Sequence, residues 1–160
     1  MDKINYIDWI DKVKILQKAV IKNKEDKILA LKRVGAQNWP RPNCWDLVGG
    51  RVEDSDIEQW KAKSGKGDEN DILINALKRE IKEETSLVVQ NIRVIHATSG
   101  FNDSKKLFVV AIGYLCEVSD EDAVKLSAEH TEYKWVAKNE FMGLEIGDDG
   151  GLIYSILGKC

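Results

Sequence analysis

The chain has 160 residues, 43% of them hydrophobic, with 24 Lys+Arg against 27 Asp+Glu and a formal net charge of −3. That length suits one domain over 1–160 with a core of its own, and the acidic balance argues against binding nucleic-acid duplexes, which is driven by phosphate neutralisation. No apolar run approaches the ~20 residues that span a membrane, and the opening Met1-Asp2-Lys3-Ile4-Asn5-Tyr6 lacks a basic-then-apolar order, so a cytoplasmic protein without membrane contact is expected.

Val13 to Lys22 and Lys27 to Val34 are apolar and partly alternating, and Asn23-Lys24-Glu25-Asp26 between them predicts a hairpin. A polar loop with Gly35, Asn38, Pro40 and Pro42 leads to a short strand, Trp45-Asp46-Leu47-Val48, which ends in Gly49-Gly50. Asp54 to Lys63 reads as a short acidic helix around Ile57 and Trp60, followed by a loose connection, Ser64 to Asn70. From Asp71 to Thr85 the pattern is strongly helical, with Ile72, Leu73, Ala76, Leu77 and Ile81 on one stripe and Asn70 or Asp71 as its cap.

Leu87 to Ala97 and Lys106 to Val118 read as long strands joined by a turn at Ser104-Lys105-Lys106, with a shorter strand at Thr131 to Val136. Lys138 to Leu144 and Leu152 to Leu157 complete the chain as helices. Strands before and after a central helix, without regular strand–helix alternation, indicate a mixed α/β (α+β) sandwich and demote a doubly wound nucleotide fold. The odd set Cys44, Cys116 and Cys160 has no CxxC spacing, and His96 and His130 are the only histidines, so disulfide and zinc frameworks are disfavoured. A Cys116–His96 nucleophilic pair is the remaining cysteine chemistry.

The acidic charge is concentrated in Arg79-Glu80-Ile81-Lys82-Glu83-Glu84. Glu80, Glu83 and Glu84 stand at i, i+3 and i+4 and share one helix face, where like charges repel by a few tenths of a kcal/mol per pair. Glu-rich helix faces are commonly no more than solvated surface. A hard divalent cation would also relieve the repulsion, since Mg²⁺ takes oxygen ligands from carboxylates and phosphates. Arg79, four residues before Glu83, is placed to fix a carboxylate rotamer.

Taken with the preceding Trp45-Asp46-Leu47-Val48-Gly49-Gly50-Arg51-Val52-Glu53, this segment resembles the signature of the Nudix hydrolases, GX5EX7REUXEEXGU with U a bulky aliphatic. Arg79 to Glu84 match its second half position by position, and Leu87 fills the last aliphatic place. Counted seven residues back from Arg79, the acid of the first half falls on Asp71, with Glu69 as the nearby alternative. On that count 20 residues separate Gly50 from Asp71 instead of five, so about 15 are inserted, at about 54–70. Ser86 stands where the family has Gly, and Val48 where it often has Pro.

The resemblance implies an α/β/α sandwich around a mixed sheet and hydrolysis of a nucleoside diphosphate linked to another moiety, with Mg²⁺ or alternatively Mn²⁺. It assigns the metal to Glu83, Glu84, Glu80 and the Gly49 carbonyl, with Glu80 also a candidate base and Arg79 orienting the carboxylates. Six residues before Trp135 it points to Glu129 as a further acid, with Glu132 as the fallback. A small-molecule nucleotide, first of all a nucleoside triphosphate, is the expected substrate. ADP-ribose or another nucleotide sugar, a dinucleoside polyphosphate, and a silent nucleotide-binding domain are the alternatives. Trp39, Trp45 and Phe101 are candidates to stack on a base, and Arg41 and Arg51 to touch phosphates. Trp60 is a candidate anchor for a lid, or a pin between the insert and the body. Whether two chains form a homodimer is not written in the sequence.

Overall fold

The computed structural model describes residues 12–35, 41–63, 71–147 and 150–160. Met1 to Tyr6, Asn38, Trp39, Pro40 and the whole connection Ser64 to Asn70, with Glu69, lie outside the described residues. The strands are β1 (Lys12–Lys22), β2 (Ile28–Arg33), β3 (Trp45–Asp46), β4 (Val89–Asn102), β5 (Leu107–Val118) and β6 (His130–Val136). The helices are α1 (Asp54–Ala62), α2 (Ile72–Thr85), α3 (Lys138–Met142) and α4 (Gly150–Leu157).

The strands form one mixed sheet in the order β3-β2-β1-β5-β4, with β6 also paired to β2. β1 and β5 run parallel along their whole length, from Lys12 opposite Leu107 to Lys22 opposite Glu117, and the other strand pairs are antiparallel. The two-residue side-chain period sorts β1 and β2 between two cores. Ala19, Ile21, Leu29 and Leu31 face α2, whose Leu77 and Ile81 are fully buried. Val20, Ile28 and Ala30 face the other way, against Phe141 of α3 and Ile153, Ile156 and Leu157 of α4. Each of the valine, leucine, isoleucine and phenylalanine side chains contributes roughly 1.5–3 kcal/mol by leaving water. The result is the expected α/β/α arrangement.

The predicted elements are all present, with shifted ends. The strand expected to stop at Ala97 continues to Asn102, because β5 pairs it as far as Leu107. Phe101 is therefore a strand residue opposite Phe108 and not a loop residue. The turn at Ser104 to Lys106 is a short 3-10 turn over Asp103–Lys105, after which Lys106 takes a φ of 46°. Ser86 adopts the left-handed conformation at φ 61° and its N–H donates to the Lys82 carbonyl, so it ends α2 as glycine would. Cys116 is fully buried on β5 and burial pushes its thiol up to about 12, which leaves it an inert core side chain and removes the Cys116–His96 pair.

Candidate active site

The glycine loop is fastened to β1 before any acid is placed. The N–H groups of Gln17 and Ala19 donate to the carbonyls of Gly50 and Val48, both at 2.8 Å, and the Val52 N–H donates to the Ile15 carbonyl at 3.1 Å. Space then dictates both glycines. Gly49 has φ 145°, and a Cβ there would lie 2.1 Å from the Gln17 carbonyl oxygen. A Cβ on Gly50 would lie 2.3 Å from the Glu80 carboxyl carbon, so a larger residue there would displace the Glu80 carboxylate from its present position.

Arg79 organises the acidic side. Its Nε and Nη2 donate to the two oxygens of Asp56 at 2.8 and 2.9 Å, and Nη2 also reaches the Arg51 carbonyl at 3.2 Å. Its Nη1 donates to Glu80 at 3.0 Å and Glu83 at 3.1 Å. The bidentate contact with Arg79, aided by the Glu53 N–H, outweighs desolvation and holds the Asp56 carboxyl below its ordinary value. Asp56 is the residue the backward count missed. Asp71 instead caps α2, accepting from the Ile74 N–H at 3.1 Å. Counting forward from Gly50, five residues and then an acid, lands on Asp56 in the first turn of α1. The extra residues therefore separate Asp56 from Arg79, and the ion pair closes across them.

The three glutamates sit in different surroundings. Glu83 is largely exposed, with 60% of its side chain accessible, whereas Glu80 is at 13%. Burial raises the Glu80 carboxyl despite the opposing Arg79 charge. Glu84 is buried, its carboxylate accepts from the Gly49 N–H at 3.0 Å, and burial raises it to about 8, against the opposing pull of Lys18 and that N–H. Among the described residues no three His, Cys, Asp or Glu side chains already converge as a metal cage. The donor set nevertheless fits a hard divalent cation: the side-chain donors are all carboxylate oxygens, and burial raises both Glu80 and Glu84, which a nearby cation would offset.

Near these acids lies a basic cluster, whose Lys18 pulls on Glu84. Lys18 Nζ, Arg33 Nη1 and Arg41 Nη2 all reach Asp46 Oδ2, at 2.9, 3.0 and 2.9 Å, and Asp46 is 1% exposed. Burial pushes the Asp46 carboxyl up, but Lys18, Arg41 and Arg33 together bring it below its ordinary value. The neighbouring His130 is buried and held at about 4 by desolvation and then by Arg33, so it is neutral. Lys18 and Arg33 carried no site signal in the sequence, because they reach Asp46 only through the pairing of β2 with β3 and the fastening of residues 47–52 to β1.

A cavity of about 650 Å³ joins both groups. Glu53, Glu80, Glu83, Glu84 and Glu129 line it, as do Lys14, Lys18, Arg33, Arg41 and Arg51, with Leu16, Leu152 and Ile153 as apolar wall. The structure thus brings Gly49, Arg79, Glu80, Glu83, Glu84 and Glu129 to one cavity. Glu132 is instead on β6, paired at the surface with Lys32 and Lys134. Trp45 and Phe101 do not line the cavity. Trp45 is 6% exposed in the core, with Lys134 Nζ 4.7 Å and Lys32 Nζ 5.7 Å from its ring centre, so it cannot stack on a base. Arg41 is mostly buried and Arg51 is exposed beside Glu53. Trp60 is half-buried on α1.

The model of the NUDIX domain matches residues 17–152. No curated protein matches the chain. Among solved structures, the MutT protein of Methanosarcina mazei is 24% identical with a TM-score of 0.64, covering 92% of this chain and 91% of that one. The NUDIX domain of Shewanella oneidensis NrtR, solved with ADP ribose, is 17% identical with a TM-score of 0.61, covering 98% and 96%. An Ap4A hydrolase of C. elegans is 21% identical with a TM-score of 0.58, covering 90% and 93%. These likenesses are of fold, and the family match over most of the length completes the assignment: the chain belongs to the Nudix family of hydrolases.

Proposed function

We propose that this Nudix hydrolase acts on the phosphoanhydride of a nucleoside diphosphate linked to another moiety, most readily a nucleoside triphosphate, with Mg²⁺ or Mn²⁺ as cofactor. The observation that carries this reading is one cavity lined both by the carboxylates of α2 and by lysine and arginine. Such a pairing suits a polyanion that arrives partly neutralised by a divalent cation.

Glu83, Glu84, Glu80 and the Gly49 carbonyl are the ligands of the proposed site. There they would hold the cation, which would supply charge neutralisation of the diphosphate and a lowered pKa for the attacking water. Arg79 is a positioning residue: held by Asp56, it sets the carboxylates of Glu80 and Glu83 relative to the glycine loop. Glu80, desolvated and raised, can take the proton from water, and Glu129, exposed in the cavity lining, is the alternative base. Lys14, Lys18 and Arg51 oppose the phosphate charge from the other side.

The same reading takes residues 1–160 as one catalytic domain, places its extra segment after Asp56, and takes a small nucleotide rather than a nucleic-acid duplex as the partner. Among the described residues no helix is long and apolar enough to cross a membrane.

The test is a Mg²⁺-dependent screen over nucleoside triphosphates, ADP-ribose, nucleotide sugars and dinucleoside polyphosphates, reading released phosphate or pyrophosphate. Turnover confined to triphosphates supports the full reading, and turnover of another class keeps the chemistry but moves the substrate. Binding without turnover of any compound would make the chain a silent nucleotide-binding domain.

A further inference from the structure

Gln17 lies in the middle of β1, two residues before Ala19 and on the same face, which turns toward α2. Ile15 and Ala19 flank it there, and Gln17 itself is fully buried. Packing does not call for an amide in such a place, since methionine or leucine fills a similar volume without polar atoms to satisfy. What the amide adds is two bonds. Its Nε2 donates to the Leu73 carbonyl in the first turn of α2 at 2.8 Å and to the Tyr114 hydroxyl of β5 at 2.9 Å. The backbone of the same residue holds the glycine loop. Its N–H donates to the Gly50 carbonyl at 2.8 Å, and its carbonyl oxygen occupies the space that a Cβ on Gly49 would need. Leu73 stands two helical turns before Glu80, about 10.5 Å along the axis. Toward the other end of α2, Glu84 is tied to the Gly49 N–H. The helix is therefore fastened to β1 and its loop at both ends, and Gln17 supplies the earlier fastening.

We propose that Gln17 is a positioning residue for the metal site. Its backbone fixes the glycine loop and its side chain fixes where α2 lies along β1, so together they set the spacing between the Gly49 carbonyl and the carboxylates of Glu80, Glu83 and Glu84. Gln17 does not line the cavity and acts only through Gly50 and Leu73. A helix free to slide by about 1 Å would carry all three carboxylates away from the loop at once, and a misplacement of that size is costly to catalysis. This inference rests on the ligand set of the proposed function and adds to it a residue outside the signature.

The test is a double-mutant cycle on Gln17→Met and Tyr114→Phe. It reads Mn²⁺ binding to the protein alone from the loss of the free-ion EPR signal, Tm without metal, and kcat and KM on the nucleotide that wild type turns over best. Gln17→Met strands the buried Tyr114 hydroxyl and should lower Tm. The double variant makes both partners apolar and should melt close to wild type, so it stands in if the single variant fails to fold. Both should weaken Mn²⁺ about tenfold and lower kcat about tenfold, with KM moved less than about twofold. Tyr114→Phe leaves the bond to Leu73 in place and should move Mn²⁺ affinity less than about twofold. Mn²⁺ binding that recovers together with Tm in the double variant makes Gln17 a packing residue and overturns the inference. Unchanged Mn²⁺ binding on removing the amide, or an equal loss for Tyr114→Phe, overturns it too. Where wild type binds Mn²⁺ without turnover, the binding arm alone decides. A wild type that neither binds Mn²⁺ nor turns over any nucleotide sinks the ligand set itself, and the inference with it.

Discussion

The two walls of the cavity solve opposite problems with the same economy. On α2, Glu80 and Glu83 share a single arginine, and Arg79 is itself pinned by Asp56. Around Asp46, three cations share a single carboxylate. One group gathers carboxylates and the other gathers cations, so the cavity presents both signs to what enters it. The lesson is that net charge says little about such a protein: −3 overall conceals a local excess of each sign a few residues apart in space.

The largest effect should come from removing a donor from the acidic wall. Glu83→Gln or Glu84→Gln is expected to lower kcat/KM by at least ~100-fold while the protein stays folded, as expected for a group that places charge in the transition state. An active Glu83→Gln enzyme would remove that residue from the ligand set.

The pin behind the wall is the next test. Asp56→Ala leaves a mostly buried guanidinium without its bidentate partner and should cost about 3 kcal/mol of stability, together with activity. Asp71→Ala loses only a helix cap, about 1 kcal/mol, with activity retained. Denaturant melts and initial rates separate the two, and equal effects would break the assignment of Asp56 as the acid that serves Arg79.

The walls should also respond to pH with opposite sign. Glu84 lies near 8 in the fold against an ordinary 4.5, so its favourable contribution is full below 4.5 and is lost as pH rises through about 8. His130, held near 4 against an ordinary 6.5, contributes fully above 6.5 and loses it as pH falls through about 4. Metal-free wild type should therefore lose stability toward pH 8, and Glu84→Gln should flatten that arm while keeping the acid-side loss. Chemical denaturation across pH 4 to 9 reads both arms. Smallest of all, Ser86→Gly at φ 61° should raise stability by about 1 kcal/mol, measurable as a modest rise in Tm.

Much of the acidic wall was legible because it is local. Glu80, Glu83 and Glu84 share a face by helical spacing alone, and Gly49-Gly50 announced a loop of close approach. Asp56 was readable too, from the glycine end of the signature, but an insertion makes the count ambiguous from the arginine end. The base-stacking reading of Trp45 failed for a different reason: an aromatic beside a glycine loop looks available until the sheet buries it.

The sequence by itself determined the elements, the sandwich class and the glutamate face, because periods of two and 3.6 residues depend only on neighbours along the chain. The tertiary structure alone decided that Lys18, Arg33 and Arg41 meet at Asp46 and that Asp56 reaches Arg79. It also decided that Glu129 rather than Glu132 faces the cavity. Those meetings depend on strand register and on where a loop is fastened, which no short window of residues encodes.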